Sequence, residues 1–63
     1  MTPLAREIVQ CLEFFGPLPS GSILEKLRMR GPVMEVEMDA ELRGLVKRRV
    51  LRVTDGLYAK VTE

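Results

Sequence analysis

The side chains in this sequence that are best suited to binding chemistry are basic, and they gather in its last third. Arginine and lysine contact phosphate oxygens directly, and the tyrosine among them can stack on a sugar or a base, or hold Arg52 by a cation–π contact. The candidate phosphate-binding residues are Arg43, Lys47, Arg48, Arg52, Tyr58 and Lys60. The alternative is that they are solvated charges, which balance acidic residues upstream and complement the C-terminal end of a helix.

Composition excludes most catalytic chemistry. The chain has no histidine and one cysteine, which rules out zinc sites, Ser–His triads and Cys–His dyads. No general base tuned near neutrality and no activated nucleophile is visible. We therefore expect a binding or assembly module and not an enzyme, with no cofactor, no metal ion and no small-molecule substrate.

The sequence is typical of a protein from a reducing compartment. Cys11 has no second cysteine with which to form an internal disulfide. The N-terminal residues lack the basic patch and apolar run of a signal peptide, and no stretch approaches the ~18 apolar residues that span a bilayer. We expect a cytoplasmic protein without a membrane partner.

Charge is distributed unevenly along the 63 residues, although the formal net charge is only +1. Residues 33–42 hold four acidic side chains, at positions 35, 37, 39 and 41. Residues 43–60 hold six basic side chains against the single acidic residue Asp55. The length leaves room for one domain, spanning residues 1–63, with a small core.

Apolar spacing predicts a first helix over about residues 3–15. Thr2 is a good N-cap, Pro3 suits the first helical position because its missing N–H has no partner there, and Gly16 ends the helix. The apolar residues recur at helical spacing and form one face, which consists of Leu4, Ile8, Cys11, Leu12 and Phe15.

A second, shorter helix is predicted over about residues 22–30. It follows Pro17-Leu18-Pro19, which is expected to be an extended connector. Ser22 and Glu25 have the spacing of a capping box, in which each side chain accepts from a free backbone N–H of the first turn. Gly31-Pro32 ends the helix.

A third helix is predicted over about residues 35–49. Residues 34–38 also alternate like a strand, but a helix places the acidic residues in its first turns and the basic ones in its last, as the helix dipole favours. Its inward face consists of Met34, Met38, Leu42, Leu45, Val46 and, at the end, Arg49. Met29, Met34 and Met38 are expected to fill gaps in the small core.

Residues 50–61 are predicted to form a β-hairpin around Thr54-Asp55-Gly56. A two-residue loop at Asp55-Gly56 pairs Val53 with Tyr58, whereas a three-residue loop pairs Val53 with Leu57. We prefer the three-residue loop because it separates an apolar face from a polar one. The two faces are Leu51, Val53, Leu57, Ala59 and Val61, and Arg52, Tyr58 and Lys60.

The order of elements and one run of apolar and turn residues carry a resemblance to a known family. The run is Leu42-x-x-Leu45-Val46-x-x-x-Val50-Leu51-x-Val53-x-Asp55-Gly56-x-Tyr58, preceded by Pro17-Leu18-Pro19-x-x-x-Ile23-Leu24. Over nearly its whole length the chain resembles the winged helix–turn–helix family. The resemblance implies a mostly α fold with a C-terminal β-hairpin (α+β), in which three helices are followed by a wing.

Most members of that family bind duplex DNA, with the third helix in the major groove and the wing near the backbone or the minor groove. Base readout relies mainly on Arg or Lys to guanine and on Asn or Gln to adenine. The first turns of the third helix offer Val36, Glu37, Ala40 and Glu41 instead. The resemblance therefore implies a small DNA-binding protein, a transcriptional regulator or accessory factor that contacts backbone phosphates with low intrinsic sequence specificity.

A second function class stays open: a protein-interaction module that binds no nucleic acid. Val36, Ala40 and Gly44 recur at i, i+4 and i+8 and make a narrow strip that another helix can approach closely. Charged residues flank the strip, as in a self-complementary homodimer or a partner interface. The simpler reading of Gly44 is a tolerated surface glycine.

Overall fold

The computed structural model describes residues 1–62. Three helices and an antiparallel sheet form an α+β layout that is consistent with a winged helix, which confirms the expected fold class. In chain order the elements are α1 (Pro3–Phe15), β1 (Leu18–Pro19), α2 (Ser20–Arg28), α3 (Glu35–Lys47), β2 (Leu51–Thr54) and β3 (Leu57–Lys60). The strand order in the sheet is β1-β3-β2, so the last strand lies in the middle.

Helix α1 has the predicted bounds and the predicted caps. The Thr2 hydroxyl accepts a hydrogen bond from the Ala5 N–H at 3.1 Å, so one free donor of the first turn is satisfied. At the other end the Gly16 N–H donates to the Leu12 carbonyl at 2.9 Å. Gly16 has a φ of 85°, in the region that favours glycine, so the chain can turn away from the helix axis here.

The segment before α2 differs from the prediction. Leu18 and Pro19 pair with Tyr58 and Leu57. The expected connector is therefore a short strand, β1, which joins the hairpin as an additional strand of the sheet. Helix α2 follows at once, with Pro19 as its N-cap and no side-chain hydrogen bond at this end. The predicted capping box is therefore wrong, because the helix begins two residues earlier and Ser22 lies inside its first turn. The helix ends at Arg28, two residues before the predicted end.

Helix α3 begins at Glu35 as predicted and ends at Lys47, two residues early. Arg49 adopts a left-handed conformation with a φ of 64°. The N–H groups of Arg49 and Val50 donate back to the carbonyls of Val46 and Leu45, at 3.0 and 2.9 Å, which is the Schellman arrangement. The predicted inward position of Arg49 is therefore wrong, and its side chain is exposed.

The hairpin has the register that we did not prefer. Val53 pairs with Tyr58 and Leu51 with Lys60, across a two-residue loop. Both loop residues have positive φ, 53° at Asp55 and 77° at Gly56, as a type I′ turn requires. The expected separation of an apolar face from a polar one does not decide the register, because both faces of the hairpin are open to solvent near the turn. Val53 and Leu57, on opposite faces, are 45% and 42% exposed.

One core joins the three helices to strand β2. Its buried residues are Ala5, Ile8, Cys11, Leu12, Ile23, Leu27, Met38, Leu42, Leu45 and Leu51. Several residues expected in the core are exposed instead: Phe15, Met29 and Met34. Met29 and Met34 lie in the turn between α2 and α3 and not on a helix face. Phe15 stays at the surface, where the Lys26 ammonium contacts one side of its ring.

Candidate nucleic-acid interface

The exposed side of α3 is a stripe of four residues that runs the length of the helix. The opposite side of the helix faces the core and carries the buried residues Met38, Leu42 and Leu45. The stripe consists of Val36, Ala40, Arg43 and Lys47, all exposed, as the helical spacing predicted. Its first half is apolar and its second half is cationic, so α3 presents two different surfaces to a partner.

Further exposed cations follow Arg43 and Lys47 in the sequence, at and beyond the end of α3. Arg48 is the C-cap, and Arg49 follows in the left-handed position that turns the chain into β2. Helix α3 and strand β2 pack against each other, and Arg52 lies one residue after the buried Leu51. We call the exposed residues of this region the basic surface: Arg43, Lys47, Arg48, Arg49 and Arg52.

Arg49 is the member of the basic surface that the sequence analysis missed. The predicted helix extends two residues further than the observed one, which places Arg49 on its inward face. The run Lys47-Arg48-Arg49 was the available signal, because a helix that continued through it would turn one of three consecutive cations toward the core. Burying an unpaired cation costs far more than ending the helix.

No carboxylate neutralises the basic surface within residues 1–62. The single ion pair in this part of the chain joins the Lys60 ammonium to the Glu13 carboxylate. The five cations of the basic surface have no acidic oxygen within 4.0 Å among the described residues. Their positive charge is therefore free to attract an anion from solution.

Lys60 and Tyr58 are arranged differently from the expectation. Lys60 is held by Glu13 on α1, and the half-buried Tyr58 packs against the core. In the observed register the side chain of Arg52 lies on one face of the hairpin, and those of Tyr58 and Lys60 lie on the other. The prediction that all three share a face is therefore wrong, and so is the predicted contact between Arg52 and Tyr58. Arg52 and Lys60 nevertheless both border a cleft of about 390 Å³, in which Glu13 also lies.

The N-terminal half of α3 is poorly suited to reading bases. A recognition helix usually meets base edges with its first turns. Here these turns present Val36 and Ala40 beside Glu35 and Glu37, and all four side chains are exposed. The carboxylates repel phosphate, whereas the cations at the other end attract it. The geometry thus suits phosphate contact better than direct base readout.

The strip proposed for close helix packing is accessible. Val36 and Ala40 are exposed and Gly44 is half-buried. A Cβ built on Gly44 meets no atom within 4 Å, so nothing inside the chain requires glycine at this position. The strip is therefore open to a partner, but its glycine has no structural cause within the molecule.

Comparison of the chain with known protein families, curated proteins and solved structures finds no match. None of the helices in residues 1–62 has the length and apolar character that crossing a bilayer requires. In the same residues, no group of three Cys, Asp or Glu side chains is placed to hold a metal ion. The functional conclusion therefore depends on the geometry and charge of the surface.

Proposed function

We propose that this chain is a small winged-helix DNA-binding protein, a transcriptional regulator or accessory factor, that contacts backbone phosphates with low intrinsic sequence specificity. The observation that supports this function is the basic surface. Its five cations are exposed, lie within the ten residues 43–52 and have no carboxylate partner in residues 1–62. Such a surface matches the regular negative charge of a duplex and carries no sequence information.

The strength of this binding depends on counterion release. Each phosphate that a cation neutralises contributes about −0.9 to the slope of log affinity against log salt. Four or five contacts give a slope of about −4, so raising salt fourfold weakens binding by roughly two orders of magnitude. Lys60 can contact a phosphate only after its ion pair with Glu13 is broken. Tyr58 is half-buried, so less of its ring is available to stack on a sugar or a base.

The experiment is a titration of the isotope-labelled chain with a short duplex, followed by amide chemical shifts at low salt. We expect shifts concentrated in residues 43–52. Lys47→Gln should weaken binding several-fold, because one phosphate contact is lost. Arg6→Gln is the matched control: it removes the same charge from an exposed position in the first turns of α1 and should leave the affinity unchanged. A spectrum that DNA does not alter would overturn the proposal.

A second candidate function, a protein-interaction module without nucleic-acid binding, is favoured by the exposed apolar half of α3. Val36 and Ala40 lie on the same side of the helix and are uncovered. Gly44→Arg separates the two functions: it should block close packing of a partner helix along the strip, whereas a phosphate-binding surface tolerates an added cation. Arg52→Glu should do the reverse, weakening DNA binding while a helix-mediated complex persists.

A further inference from the structure

An open groove of about 680 Å³ lies between the C-terminal ends of α1 and α2, and no residue of the basic surface lines it. Its most exposed walls are Phe14 and Met29, which are 82% and 86% exposed, and Phe15 lies beside them. A small domain has few apolar side chains, and two aromatic rings and a methionine left together on its surface mark an interaction site.

The aromatic wall of the groove is ordered by contacts within the chain. The rings of Phe14 and Phe15 meet edge to face, with centroids 4.8 Å apart. The Lys26 ammonium lies 4.3 Å from the centroid of Phe15, within the range of a cation–π contact. The groove is therefore shaped before a partner arrives, and the loss of side-chain entropy on binding is reduced.

The charge of the groove indicates what it binds. Lys26 and Arg30 line it, and no Asp or Glu does. An occupant must therefore supply apolar side chains with carboxylates beside them. Such a segment exists in this chain: Met34 and Val36 are 63% and 74% exposed and alternate with the exposed Glu35 and Glu37. We call residues 34–37 the acidic segment.

The acidic segment does not occupy the groove of its own chain. Met38 and Leu42 fix α3 in the core, so the helix start is held with Met34 and Val36 facing solvent. Three residues lie between Arg30 and Met34, so their Cα atoms are at most about 14 Å apart. The acidic segment therefore begins within about 14 Å of a residue that lines the groove. This short span allows two copies to place each groove against the other's acidic segment about a two-fold axis.

We propose that the groove binds the acidic segment of a second copy of this chain, so that the protein forms a two-fold symmetric dimer. Each copy places its Met34 and Val36 against the aromatic wall of the other, and its carboxylates meet Lys26 and Arg30. When both grooves are filled reciprocally about the two-fold axis, no groove is left for a third chain, so the assembly ends at two copies. The dimer does not depend on the proposed DNA binding.

Sedimentation velocity of paired charge-reversal variants tests the dimer. Arg30→Glu and Glu37→Arg, each at an exposed position, should raise the dimer dissociation constant about tenfold or more, because like charges then meet at both contacts. An equimolar mixture of the two variants should form a heterodimer, since both of its contacts again pair opposite charges. Phe14→Ser should also weaken the dimer while leaving the helical circular dichroism unchanged.

Two controls and the contrary outcomes make the test decisive. Arg6→Glu, a reversal outside the groove, should sediment like the wild type, and so should Gly44→Arg, which changes the strip on α3. A wild-type chain that stays monomeric up to about 1 mM would overturn the proposal, because even a dissociation constant of that size corresponds to only about −4 kcal/mol. A dimer that survives Arg30→Glu, or a mixture without a heterodimer, would overturn it as well.

Discussion

Arg49 carries two roles that its backbone conformation connects. Its left-handed φ of 64° ends α3 and turns the chain toward β2, and the same turn exposes the guanidinium beside Arg48. A residue with a Cβ pays about 1–2 kcal/mol for this conformation. Glycine adopts this conformation without that cost.

Arg49→Gly should therefore raise the free energy of unfolding by about 1 kcal/mol, which corresponds to a melting temperature about 4–8 °C higher in a domain of this size. Thermal unfolding followed by circular dichroism measures the change. Arg49→Ala is the control, because it removes the same charge and keeps the strained φ; it should show no gain. Equal stabilisation in both variants would mean that the charge, and not the conformation, is the cause.

Cys11 is the second residue whose surroundings predict a measurable property. Burial raises the pKa of the thiol above its ordinary value, and the nearby Lys26 and Arg30 offset only part of this effect. The folded chain therefore holds the thiol in its neutral form. Stability keeps its full value below the thiol pKa of the unfolded chain and falls as the pH rises from there toward the higher pKa of the folded chain.

The rate of iodoacetamide labelling against pH tests the Cys11 environment, because only the thiolate reacts. We expect a higher midpoint in the native chain than in the chain unfolded by urea. Native labelling should also be slower at every pH, since the sulfur lies in the core. A native midpoint at or below that of the urea-unfolded chain would contradict the assignment.

The ion pair of Glu13 and Lys60 joins α1 to β3 and competes with any anion for the ammonium group. Exposed pairs of this kind contribute about 0.2–1 kcal/mol. Glu13→Gln should therefore cost little stability and should increase the affinity for a duplex up to about fivefold, because Lys60 becomes available. Glu7→Gln removes an equal charge from α1 without touching Lys60; a similar increase in that variant would indicate a general charge effect.

At the scale of the elements, the parts that were predictable are those with a long pattern. Thr2, Pro3 and Gly16 determine both ends of α1, and the spacing of Met38, Leu42 and Leu45 identifies the buried side of α3. Strand β1 was not predictable, because a strand of two residues is too short to show an alternating apolar pattern. Its pairing with Tyr58 and Leu57 depends on tertiary contacts. The exposed positions of Arg43 and Lys47 were predictable from the helical spacing of α3, whereas the exposed position of Arg49 was not, because it depends on where the helix ends.

The hairpin register shows how local turn chemistry prevails where burial is weak. Asp55 and Gly56 both adopt the positive φ of a type I′ turn. This turn matches the right-handed twist of the flanking strands. Separating apolar from polar side chains between the two faces would favour the other register. This separation stabilises a hairpin only where one face is buried, and Val53 and Leu57 are both exposed. The turn therefore decides.

Gly56→Ala should lower the free energy of unfolding by about 1–2 kcal/mol, because alanine is strained at a φ of 77°. Nothing lies within 4 Å of a Cβ at this position, so a steric clash is not the cause. Asp55→Asn should preserve stability, since asparagine accepts the same turn. Urea unfolding measures both changes. A neutral Gly56→Ala, or close Hα contacts between Val53 and Leu57 in place of Tyr58, would contradict the register.

At the scale of the whole molecule, charge is separated along α3 in a way that the net value of +1 conceals. The start of the helix carries Glu35 and Glu37 beside exposed apolar residues, and its end carries the basic surface. In the proposed dimer the acidic segments are paired with Lys26 and Arg30 of the other copy. Their repulsion of a duplex is thereby reduced, and no residue of the basic surface takes part in the proposed contact.

The salt dependence of duplex affinity tests the phosphate-binding surface most directly. Fluorescence anisotropy of a labelled duplex, measured across about 50–200 mM salt, should give a slope of about −4 in log affinity against log salt. Neutralising Arg43 or Lys47 should make the slope less steep by about one unit, with a similar loss on unrelated sequences. No measurable binding at the lowest salt, or a slope near zero that Lys47→Gln leaves unchanged, would contradict the account.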